Sequence, residues 1–184
     1  MPRYNSYNDY ITAAQRHRMT CDYLIKSICL PNNQLHKPDN SSYKNYLLKN
    51  IYYLSGYTIE CMVNYAIYKC VNETKPVNRQ FTLVDQLNEP VYNLGFRSHY
   101  YSISSHRFQR NMEVLNLIAT AKFAQVPIIG GTIYPNNWNV MQSLFNGWKP
   151  HARYTNVGYS EQQIISFYEL SSEIYTNIRS CITT

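Results

Sequence analysis

At 184 residues, 45% hydrophobic and 15% charged, the chain is too apolar to be disordered and long enough to bury one core, so a single domain over 1–184 is expected. Its 17 Lys and Arg against 11 Asp and Glu leave a net charge of +6, which favours a polyanionic partner if gathered on one face and otherwise serves solubility. A polar N-terminus without a signal-peptide core, and no run of about 18 apolar residues, predict a cytoplasmic protein with no membrane partner.

From Tyr7 to Leu30, apolar or small residues recur at Tyr7, Tyr10, Ala14, Cys21, Leu24 and Ile28, the spacing of one helix face, and Pro31 stops the run. Arg16, His17 and Arg18 fall mid-helix and read as a solvated face or a small basic patch. Leu35 to Asn40 reads as a loop, after which Ser42 can cap a second helix from Tyr43 to about Val71. Its stripe of Leu47, Ile51, Leu54, Thr58, Cys61, Met62 and Tyr65 marks the centre of the core, and Gly56 would let another helix come close.

Between Asn72 and Ser102 the period breaks at Pro76, Pro90 and Gly95, a long connection with one short helical turn over Phe81 to Leu87. Ser104 or Ser105 caps a third helix carrying Phe108, Met112, Leu115, Ala119 and Lys122 on one side. His106, Arg107 and Arg110 stand in its first two turns, where cations oppose the helix dipole and an anion would offset them. Gly130-Gly131 is a turn, since no G-K-[ST] follows. Asn137 caps a short helix through Phe145, closed by Gly147. Ser160 with Gln163 matches the capping box of a last helix to about Ile182, striped by Ile164, Phe167, Ser171, Ile174, Ile178 and Cys181. The fold class is therefore all-α, an up-and-down antiparallel bundle of four main helices with short extra helices.

The 19 tyrosines can stack on bases, but their plainer place is in or beside the core with the hydroxyl reaching the edge. Cys21, Cys29, Cys61, Cys70 and Cys181 form no C-x-x-C pair and no Cys/His grouping at zinc spacing, so free thiols are expected, with neither a metal nor another cofactor.

The run Tyr52-Tyr53-Leu54-Ser55-Gly56-Tyr57-Thr58-Ile59-Glu60-Cys61 resembles the second-helix signature of the HEPN superfamily, of the form Y-L-A-G-Y-A-x-E-C-x-L-K. Ser105-His106-Arg107 is similar to the family's small-residue-His-Asp-Leu segment. Trp148 with Arg153 and Tyr154 keeps the spacing of its W-x-x-x-x-R-Y element. Asn64 stands where the family has Lys, and Arg107 where it has Asp. The ribonuclease motif of active members, Arg and His separated by four to six residues, is missing: Arg97 precedes His99 by one intervening residue and His106 by eight.

The resemblance implies a helical module that binds nucleotide or RNA or docks on a nucleotidyltransferase-type partner, and that dimerises. As an enzyme it would be a metal-independent ribonuclease of the toxin-antitoxin or phage-defence kind, with a His as general acid or base and an Arg on the phosphate's developing charge. His106 and Arg153 are the catalytic candidates, since the Arg153 loop can return to the start of the third helix. Arg97, His99, Arg107, Arg110, Lys149 and Tyr154 are the candidate ligand-binding residues. Glu60, Gly56 and Trp148 read as structural, with Arg153 alternatively paired to Glu60, whose charge would be costly alone beside the buried stripe. A purely structural homo-oligomer with incidental charge is the remaining reading.

Overall fold

The computed structural model describes residues 6–29, 40–73, 77–79, 111, 115, 138–154 and 158–182. These form four α-helices, α1 (Asn8–Cys29), α2 (Asn40–Glu73), α3 (Trp138–Gly147) and α4 (Glu161–Ile182), with 3-10 turns at Val77–Arg79 and Pro150–Arg153 and no strand among the described residues. The fold is an all-α bundle. No helix among them is long and apolar enough to cross a membrane.

Ring contacts give the helix directions. Tyr7 packs on Tyr65 and Tyr68, Tyr10 on Tyr68 and His17 on Tyr57, while the Cys21 thiol donates to the Ile51 carbonyl. Numbers rise on α1 as they fall on α2, so the two are antiparallel. Arg18 lies over Tyr175 and the Tyr168 hydroxyl donates to Asp22, which sets α4 antiparallel to α1. Lys44 with Glu161 and Tyr52 with Phe167 then run α2 and α4 the same way. An up-and-down order requires that sense of the second and fourth members, with a third returning between them. The helix read from Ser104 onward is described at Asn111 and Leu115 alone, both helical and buried. Asn111 donates its amide to the Asn64 side chain at 3.2 Å, placing it against α2.

The stripe expected on α2 is too narrow. Every residue from Thr58 to Tyr68 is buried, whereas Leu54 is half-buried. A helix covered on all sides lies inside its fold, and α2 is the central rod to which α1, α4 and the Pro150–Arg153 turn are packed. Its start also differs. The helix begins at Asn40, so Ser42 lies within the first turn instead of capping it, and the end of the expected loop becomes helical.

The stripes of α1 and α4 hold. Tyr10, Ala14 and Cys21 on α1, and Ile164, Phe167, Ser171, Ile174 and Ile178 on α4, are buried. The capping box forms as read: the Ser160 N–H donates to Gln163 Oε1 at 2.8 Å, and the Gln163 N–H to Ser160 Oγ at 3.3 Å. Arg16 is exposed, but His17 and Arg18 are half-buried instead of solvated, because aromatic rings from α2 and α4 cover them. Cys21, Cys61 and Cys70 are buried free thiols and Cys29 is an exposed one.

Candidate functional site

Two residues fasten the segment after α3 to α2. The Trp148 indole N–H donates to the Tyr53 carbonyl at 3.1 Å, and its ring meets Tyr57 edge to face at 5.0 Å. This is possible because residue 56 is glycine: a Cβ there would stand 2.0 Å from Trp148 Nε1. Close approach at Gly56 was expected, but the visitor is an indole and not a second helix backbone. Trp148 and Ala152, four residues apart, are both buried.

Tyrosine hydroxyls close the end of α3. Tyr52 donates to the Leu144 carbonyl at 2.6 Å and Tyr159 to the Ser143 carbonyl at 3.2 Å, using acceptor capacity that a backbone oxygen has beyond one helical bond. Gly147 closes this helix as expected, being its last residue; a Cβ on it would stand 2.6 Å from the Tyr159 hydroxyl, so the glycine also makes room for a tyrosine.

Between these anchors the chain turns tightly. Lys149 is extended, Pro150 opens the 3-10 turn, and Ala152 and Tyr154 return N–H bonds to the Lys149 and His151 carbonyls at 2.8 and 2.9 Å. With Trp148 and Ala152 inward, Lys149, His151 and Tyr154 are exposed, Tyr154 at 81%. The turn thus offers an exposed cation, an imidazole able to donate or accept, and an exposed tyrosine. Behind it, His17, Tyr57 and Trp148 form an aromatic row across α1, α2 and the turn. Burial lowers the His17 pKa from its ordinary 6.5.

Of the candidates read from sequence, Gly56 and Trp148 meet directly, and Lys149 and Tyr154 flank one turn. Glu60 lies one helical turn beyond Gly56 and is buried, on the helix that receives the Pro150–Arg153 turn. Arg153 ends that turn, while its side chain lies outside the described residues, as do Arg97, His99, His106, Arg107 and Arg110. Lys149 and Tyr154 thus stand at the two ends of one short turn; the pairing of His106 with Arg153 has no described geometry. His151 was not singled out from sequence. Its signal lies in the alternation of Trp148 and Ala152 with Lys149, His151 and Tyr154, which becomes informative once the turn is known to be 3-10.

Among the described residues no group of His, Cys, Asp and Glu could hold a metal ion. No family model, no curated protein and no solved structure matches the chain.

Proposed function

We propose that this chain is a HEPN-like helical module that binds RNA through the turn from Lys149 to Tyr154. The observation that carries the reading is the sorting of side chains in that turn, with Trp148 and Ala152 buried on α2 and Lys149, His151 and Tyr154 exposed. A lysine and an exposed tyrosine at the two ends of one turn suit single-stranded RNA, because the ammonium tracks phosphate and the ring stacks on any base. The net charge of +6 works in the same direction. The Tyr52–Cys61 run and the spacing of Trp148, Arg153 and Tyr154 support the HEPN likeness, and with it a homodimer.

The test is a gel of labelled single-stranded RNA with the purified protein in EDTA at two salt concentrations. We expect an intact, shifted band that weakens with salt. Lys149→Ala should lower the slope of log affinity against log salt by about 0.7, the loss of one phosphate contact. Tyr154→Ala should cost about 1–3 kcal/mol at either salt, the loss of one stacked base. Cleavage abolished by His106→Ala and Arg153→Ala would turn the reading to a ribonuclease. Intact, unshifted RNA would turn it to docking on a protein such as a nucleotidyltransferase.

A further inference from the structure

The seam between α1 and α4 carries positive charge that this RNA-binding reading does not use. The Arg18 guanidinium carbon lies 4.8 Å from the centre of the Tyr175 ring, and that of Arg179 lies 5.8 Å from the same centre. Arg179 also donates to the Tyr175 hydroxyl at 2.8 Å. Tyr175 is buried, Arg18 half-buried and Arg179 exposed, so the seam opens to solvent at the Arg179 end.

Arg18 Nε is buried and donates to nothing. Asp22, one turn further along α1, is engaged by the Tyr168 hydroxyl and forms no ion pair with Arg18. The Ser172 hydroxyl, on the same face of α4 as Tyr168, Tyr175 and Arg179, is buried and makes no hydrogen bond of good geometry, with the Tyr168 hydroxyl within its reach. A neutral ring attracts a guanidinium but does not neutralise it. Two guanidinia on one ring repel each other most where water is thin, and an anion in reach of both offsets that repulsion.

We propose that this seam is a binding site for a small phosphate-bearing ligand, held by Arg18 and Arg179 with the Ser172 hydroxyl as a further donor. A phosphate matches two positive charges better than a monovalent carboxylate does, and its oxygens accept from guanidinium forks and a hydroxyl together. The site is separate from the Lys149–Tyr154 turn, so it stands or falls apart from RNA binding there.

The experiment is titration calorimetry of the full chain with inorganic phosphate, adenosine monophosphate and acetate, with chloride holding ionic strength constant. Phosphate is expected to bind and acetate not. Tighter binding of the nucleotide than of phosphate identifies a phosphomonoester as the ligand, and equal affinity identifies the free anion. Arg18→Met keeps the apolar stem on Tyr175 and should weaken phosphate about tenfold, as loss of a charge-assisted contact does. Should that variant fail to fold, Arg179→Gln, at an exposed position, should weaken phosphate in the same direction. Phosphate binding no better than acetate, or unchanged in the Arg18 and Arg179 variants, overturns the site.

Discussion

The indole of Trp148 lies on the bare backbone of Gly56, where a methyl group would stand 2.0 Å from its nitrogen. Helix propensity alone predicts that Gly56→Ala stabilises by about 1 kcal/mol. The contact predicts the opposite sign, because the displaced indole also abandons the Tyr53 carbonyl. We expect a net loss of about 2 kcal/mol or more by urea denaturation, within the range for overpacking. With Trp148→Ala already present, the same change should be neutral or stabilising. A stabilised single variant would mean that the turn does not rest on Gly56.

The imidazole of His17 makes stability depend on pH. Burial lowers its pKa from 6.5 in the fold, so the unfolded chain takes up the proton more readily. Its neutral form supports the fold above that value, and the support is lost as pH falls through 6.5 toward the lowered folded value. Thermal melts of the parent should therefore drop more steeply between about pH 7 and pH 5 than those of His17→Gln. Parallel curves would remove His17 as the cause.

The thiols should sort by burial. Burial is the largest influence on Cys21, pushing its pKa to about 12, and it raises that of Cys61 as well. Cys29 is exposed. Since the thiolate is the nucleophile, iodoacetamide at neutral pH should label Cys29 in the native protein and reach Cys21 and Cys61 only in denaturant. Peptide mapping by mass spectrometry reads the outcome, and native labelling of Cys61 would contradict a closed core.

The proposed ion pair of Glu60 and Arg153 calls for a double-mutant cycle. Glu60→Gln should cost about 3 kcal/mol or more if the carboxylate is answered by a charge. In an Arg153→Gln background the cost should fall well below that. Additive losses would dissolve the pair and leave Glu60 to other partners.

Features encoded within a few residues were legible from sequence. Ser160 and Gln163 cap each other across one helical turn, and the stripes of α1 and α4 repeat over short distances. What sequence spacing could not supply was the identity of the distant partner. Gly56 announces that something comes close, but not that it is a tryptophan 92 residues on. His17 and Arg18 look like a solvated patch until Tyr57 and Tyr175 cover them. The breadth of α2's burial was missed because the stripe was drawn from apolar residues and left out Glu60 and Asn64, whereas Asn64 meets Asn111 inside the bundle. The Lys149–Tyr154 turn was found through the Trp-to-Tyr motif, and its inward and outward alternation emerged only with the 3-10 geometry.

The burial of α2 on every side from Thr58 to Tyr68 constrains the order in which this molecule can be built. Its partners come from both flanks of the chain: Tyr7 and Cys21 ahead of it, Leu144, Trp148 and Phe167 long after it. As the polypeptide leaves the ribosome, α2 emerges whole while the later segments that pack against its surface are still unmade. Until Phe167 is out, that surface is open to solvent, and structure this dependent on distant contacts assembles late. Synthesis of this chain therefore passes through an interval in which its innermost helix lies uncovered on one side, offering a chaperone apolar surface that the finished fold hides.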